Sequence, residues 1–83
     1  SVPKMLPELD LQPITSLRKG QSAVVEEVAG DSHDLERFQE MGLTPGAVVC
    51  MLCPGRCSRV QVGDSRVVVR CRELKSVFVS PLY

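Results

Sequence analysis

Five side chains in this sequence have the chemistry to bind a soft metal ion or to react as nucleophiles: Cys50, Cys53, Cys57, Cys71 and His33. The cysteines follow the spacing C-x2-C-x3-C-x13-C. Four thiolates can complete a tetrahedron around zinc, so this is the sharpest chemical expectation the residues raise. Strand register divides them, however. If Cys53 faces Cys57 across Pro54-Gly55-Arg56, then Cys50 faces Val60 and joins the apolar side. Cys71 shares the parity of Val67 and Val69 and is expected to point inward as well. Buried free cysteine is a common core residue, which suits Cys50 and Cys71. Cys53 and Cys57 fall on the opposite face as cross-strand neighbours at a hairpin tip. Three states stay open for that pair: reduced thiols, a disulfide, or two ligands of a metal site. The start of the sequence has no apolar stretch with a cleavage site, which favours reduced thiols.

His33 stands between Asp31 and Asp34 at the expected start of a helix. Imidazole and carboxylate together suit zinc or another divalent ion. One chain supplies too few fixed ligands, so zinc or Fe(II) would be held only weakly at the surface. Water, anions or a second copy would complete the sphere, giving a metal-bridged homodimer. A solvent-facing histidine is the competing expectation, and no cofactor is required. Catalytic patterns are missing: one His comes with no nucleophile motif, and neither G-x-x-x-x-G-K-[ST] nor G-x-G-x-x-G occurs. A binding module is expected rather than an enzyme.

These residues need a scaffold, and the composition says which kind. Eighty-three residues fit one domain, and 43 % apolar with 24 % charged residues is globular composition, with Val dominant. The longest apolar run, 47–53, is far short of the roughly 20 residues of a membrane span. Residues 1–13, with Pro3, Pro7 and Pro13, read as an arm, and 14–83 as the domain. Thr15 to Gly20 reads as one helical turn closed by Gly20. A Val-rich strand follows at 21–28. A single helix is expected over about 33–41, with Leu35, Phe38 and Met41 along one face and Asp31 or Ser32 as its cap. Gly42 stops it, Pro45 prevents continuation, and Leu43 tucks back toward the core before Gly46 leads into the next strand. Strands follow at 48–53, around 59–69 and at 76–80, with a short turn at 72–75. Gly63-Asp64 makes a two-residue hairpin that pairs Val62 with Ser65, Gln61 with Arg66, Val60 with Val67 and Arg59 with Val68. Val60, Val62, Val67 and Val69 then share a buried face, while Arg59, Gln61 and Arg66 share a wet one. Five short strands with brief connections predict a mostly β, small closed barrel.

Formal charge is zero but unevenly spread. Residues 56–83 carry Arg56, Arg59, Arg66, Arg70, Arg72 and Lys75 against Asp64 and Glu73, whereas residues 1–55 are acidic in balance. Such a division steers a charged partner. Nucleic acid is not the expected partner, because the domain is neutral overall and lacks an aromatic stacking platform.

The stretches 16–25, 35–46, with its Met41-Gly-Leu-Thr-Pro-Gly46 step, 59–69 and 77–79 resemble the FeoA family, small cytoplasmic proteins of bacterial ferrous-iron uptake. The resemblance covers residues 14–80; the arm lies outside it. It implies an SH3-like five-stranded barrel with a helix inserted after the first strand. Association with FeoB, the membrane transporter with a cytosolic GTP-binding domain, is implied too, at the inner face of the membrane. Met51, Arg56, Arg59, Gln61 and Arg66, on the outer face of the meander and its loop tip, are the expected contacts. The C-terminal barrel of iron-dependent repressors is the related alternative; the DNA-binding helices of those proteins have no counterpart here.

Overall fold

A computed structural model describes residues 11–82. Six antiparallel strands form one sheet: β1 (Gln12–Pro13), β2 (Ser22–Val28), β3 (Val48–Cys53), β4 (Cys57–Val62), β5 (Ser65–Arg70) and β6 (Val77–Pro81). Their order is β1-β6-β2-β3-β4-β5. Helix α1 (Ser32–Glu40) connects β2 to β3, and the short α2 (Cys71–Leu74) connects β5 to β6. A single 3-10 turn, Ile14–Ser16, follows β1. Of the stretch read as an arm, residues 1–10 lie outside the described part, and Gln12 and Pro13 pair with Val79 and Phe78.

Two expectations need correction here. Among the described residues the strands number six rather than five, because β1 is a two-residue pairing too short to leave a periodic signal. The sheet is also not closed into a barrel: β1 and β5 are its two edges and do not pair. Closure fails for a local reason. β5 runs directly into α2, and β1 ends at Pro13, which has no N–H to donate.

One face of the sheet encloses the core. Alternate residues Ala23 and Val25, Val49 and Met51, Val60 and Val62, and Val77 and Val79 are buried on β2, β3, β4 and β6. Ile14, Leu17, Phe38, Leu43 and Leu74 fill the space beside them. The β4–β5 register is the one expected from the Gly63-Asp64 turn, with Val62 opposite Ser65 and Arg59 opposite Val68. Gly63 has φ +57° at the first turn position, as a two-residue hairpin of this hand requires.

The β3–β4 register departs from expectation by one residue. Val49 faces Val62, Cys50 faces Gln61 and Met51 faces Val60. Cys53 faces Arg59, so the tip spans 54–58 rather than 54–56, and a bulge between Met51 and Cys53 takes one residue back. A one-residue slip moves every side chain to the other face. Met51 is therefore fully buried, not an outer-face residue, and Cys50 lies on the Gln61 face, not in the Val60 row.

Helix α1 starts where Asp31 Oδ1 accepts a hydrogen bond from the Asp34 N–H at 2.9 Å. It ends in a double closure: the Gly42 N–H bonds to Gln39 O at 2.9 Å and the Leu43 N–H to Phe38 O at 2.8 Å. Gly42 takes φ +81°, and Leu43 and Phe38 are both buried beside it. Of the expected helical face, Phe38 is buried and Met41 half-buried, but Leu35 is exposed at the rim of a groove shared with Val28, Leu43 and Pro45. An ion pair between Arg37 and Glu73 ties α1 to α2.

A Cβ on Gly42 would meet Val62 Cγ1 at 3.3 Å in addition to straining the left-handed backbone. Gly42→Ala is expected to destabilise the domain by about 1–2 kcal/mol, read as a lower urea midpoint with unchanged slope. The guanidinium of Arg37 holds the Glu73 carboxyl below its ordinary value, mainly through their hydrogen bond. The unfolded carboxyl binds its proton at higher pH than the folded one. Stability from this pair is thus present above the ordinary carboxylate pKa and is lost as pH falls through the lowered folded value. Thermal melts from pH 7 to pH 2 should show a Glu73→Gln variant losing less stability on acidification than the parent.

Candidate interaction surface

The outward face of β3, β4 and β5 gathers cations onto one side of the molecule. Arg59 and Gln61 on β4 face Val68 and Arg66 on β5, and Cys57 faces Arg70. Arg66 Nε donates to Gln61 Oε1 at 3.3 Å, and Gln61 Nε2 donates to Gly63 O at 2.8 Å. These bonds hold the Gln61–Arg66 pair against the turn. The geometry follows from alternation: Val60, Val62 and Val69 point into the core, so their neighbours point out.

Two clefts open on this side. One, of about 410 Å³, has Leu52, Val67 and Val68 as apolar wall and Lys19, Arg59 and Arg66 as its charged rim, with Cys53 beside them. No carboxylate lines it. Lys19 is brought there by the turn after the 3-10 segment, where the Gly20 N–H bonds to Met51 O at 2.6 Å. The second cleft, of about 440 Å³, is formed by Arg56, Arg70 and Arg72 around Cys57 and Cys71. The loop carrying Arg56 is held there by the Cys71 N–H, which bonds to Arg56 O at 2.7 Å. Guanidinium groups spaced along a face with apolar surface between them can pair carboxylates while burying an apolar side chain.

Arg56, Arg59, Gln61 and Arg66 thus share the outer face, Gln61 half-buried and the arginines exposed, whereas Met51 lies beneath it in the core. Sequence reasoning missed Lys19, Val68, Arg70 and Arg72. Val68 and Arg70 carry a readable signal, since they share the parity of Arg66 along β5. Lys19 and Arg72 carry none, because they sit on a turn and a short helix.

All four cysteines are free. Cys53 and Cys57 are both exposed, as expected, but they do not face each other: Cys53 lies opposite Arg59 and Cys57 opposite Arg70. The longer tip separates them. Cys71 opens α2 and is half-buried beside Arg70 and Arg72 rather than fully inward. His33 is exposed in the first turn of α1, where Asp31 is engaged as the helix cap. Among the described residues, no group of three or more His, Cys, Asp or Glu side chains converges as a metal site would need. A polar cleft of about 290 Å³ between α1 and α2, lined by Asp34, Arg37, Arg72 and Glu73, is largely spent on the Arg37–Glu73 pair.

Comparison with known proteins places the fold and the family. No curated protein sequence matches the chain. Among solved structures, the Stenotrophomonas maltophilia FeoA, a prokaryotic SH3-domain protein solved with zinc, is 33 % identical. That match covers 83 % of this chain and 89 % of the other, with a TM-score of 0.73. An iron uptake regulatory protein, also a FeoA, superposes with a TM-score of 0.82 at 24 % identity, over 87 % of this chain and 99 % of that one. A manganese-dependent transcriptional repressor superposes with a TM-score of 0.84 at 16 % identity, over 94 % of this chain but only 45 % of its own length. The last two likenesses concern the fold alone. The FeoA domain model matches residues 12–81, from the first strand to the last. The chain belongs to the FeoA domain family, which is associated with ferrous-iron transport.

Proposed function

We propose that this protein is a non-catalytic accessory of bacterial ferrous-iron uptake. It works in the cytoplasm and docks on the cytosolic part of a FeoB-type GTP-binding transporter, which recruits it to the inner face of the membrane. The observation that carries this reading is the one-signed outer face of β4 and β5, where Arg59 and Arg66 flank apolar surface with no carboxylate in the cleft between them. Such a face suits a protein partner with acidic side chains around an apolar one. Membership of the FeoA family supplies the transport context. Among the described residues no helix is long and apolar enough to cross a membrane.

The reading needs no cofactor. Zinc or Fe(II) held between His33, Asp31 or Asp34, or between Cys53 and Cys57, would draw its remaining ligands from water or a second copy. Nucleic acid has little to grip, since the cations of the outer face are interleaved with Val and Leu rather than aromatic rings.

Capture of the transporter's purified cytosolic domain on the immobilised full chain tests the docking. The double variant Arg59→Glu/Arg66→Glu is expected to weaken capture about tenfold, equivalent to about 1.4 kcal/mol. The parent complex should also weaken as salt rises from 50 to about 300 mM. Capture unchanged in the variant removes this face from the interaction. Measuring GTP hydrolysis in the same samples shows whether docking alters turnover.

A further inference from the structure

Strand β5 is an edge of the sheet: among the described residues it pairs only with β4. The two-residue turn makes Val62 and Ser65 the first mutually bonded pair. Alternation then bonds Val60 to Val67 and Ser58 to Val69. The N–H and C=O of Arg66 and Val68, and the N–H of Arg70, consequently point away from β4. None of these groups meets the backbone of another element among the described residues. The same three residues carry exposed side chains on the outer face, and Val68 is 66 % exposed, the most exposed of the large apolar residues described. Free backbone groups and a charged-apolar-charged row thus coincide on one edge.

From this coincidence we infer that β5 takes an extended acidic segment of a protein partner as an added strand. The inference rests on the docking just proposed and specifies its mode. Residues directly opposite each other in a sheet share a face. A segment of the pattern acidic-x-apolar-x-acidic would therefore set its carboxylates against Arg66 and Arg70 and its apolar side chain against Val68. The backbone groups of Arg66 and Val68 would hold it in register. A second copy of this chain fits badly, because a two-fold pairing centred on Val68 sets Arg66 opposite Arg70 of the copy. Like charges so placed repel. The alternative use of the two arginines is as guards that keep any strand off the edge.

The test uses the full chain, labelled with nitrogen-15, and a capped peptide with the core Glu-Thr-Val-Thr-Glu at millimolar concentration. Hydrogen exchange at the amides of Arg66, Val68 and Arg70 is expected to slow about tenfold or more at saturation. A Lys-Thr-Val-Thr-Lys peptide is expected to give no protection, and the variant Arg66→Glu/Arg70→Glu to reverse that preference. Val68→Pro deletes an outward N–H and leaves every bond to β4 in place, so it should lose the peptide while keeping a cooperative melt. The charge-reversed variant carries the test if the proline variant fails to fold. Unchanged exchange at these three amides in the presence of peptide overturns the inference and leaves the arginines as guards. Equal binding of a peptide N-methylated along its pairing edge overturns it too, since charge alone would then suffice. The transporter domain separates the two readings. Capture that survives Val68→Pro but not Arg59→Glu/Arg66→Glu keeps the docking and removes the added strand. Peptide protection without capture of the domain removes the docking and leaves the edge as a strand acceptor.

Discussion

The register of β3 against β4 is the constraint on which the rest of the molecule depends. Met51 opposite Val60 and Val49 opposite Val62 lock four side chains into the core, all at or near zero exposure. A slip of one residue would turn one strand over against the other, exposing Val49 and Met51 and driving Cys50 inward, or exposing Val60 and Val62 and driving Gln61 inward. Each buried Val, Leu or Met is worth about 1.5–3 kcal/mol, so the slipped arrangement would forfeit a large part of what a domain of this size can gain. Once the register is set, Arg59 has only the solvent face available. The hairpin then carries Arg66 and Arg70 to the same face. The cationic surface is therefore a consequence of where the valines must go.

The helix stop performs a similar service on the other side of the core. Leu43 reaches the interior because Gly42 reverses the chain in a left-handed conformation, and Phe38 packs beside it. The chain is then tied back to β2 by reciprocal bonds, Gly46 N–H to Val25 O at 2.7 Å and Val25 N–H to Ala47 O at 2.8 Å. β3 thus enters the sheet at a fixed point, which is what the register needs at its upstream end. The bulge after Met51 absorbs the mismatch at the downstream end, where the loop to Cys57 is free to vary. Precision is concentrated where core residues require it.

This division explains what could be read from the residues. The β4–β5 pairing was legible pair by pair because a two-residue turn leaves no freedom in loop length. The β3–β4 pairing was not, because Pro54-Gly55 marks a turn without fixing its length and a bulge has no sequence signal. Met51 and Cys50 were exchanged between faces for that reason alone. The helix and its end were legible from Asp31, Phe38, Gly42 and Pro45, each of which has a local physical role. Closure of the sheet was misjudged because it depends on whether the two edges, β1 and β5, meet, which strand alternation does not show. Half of the cationic face was visible in the alternation of Arg59, Gln61 and Arg66. The parts contributed by Lys19 and Arg72 depend on how a turn and a four-residue helix fold against the sheet.

Net neutrality conceals a strong internal asymmetry. Glu26, Glu27, Asp31, Asp34, Glu36 and Glu40 belong to β2, α1 and the turn between them, whereas Arg56, Arg59, Arg66, Arg70 and Arg72 belong to β4, β5, α2 and the turn before β4. Arg37 on α1 and Glu73 on α2 are exceptions, as is Asp64 in the turn between β4 and β5, and Arg37 and Glu73 pair with each other. Their mutual neutralisation removes one residue of opposite sign from each side and sharpens the division. A molecule charged in this way has no net attraction to a polyanion at distance, yet it turns its basic side toward an acidic patch as it approaches. The fold alone does not confer this behaviour, since repressor domains of the same architecture are used within much longer chains. It comes from which residues this chain places at the outward positions of β4 and β5, positions that the buried valines leave free to vary.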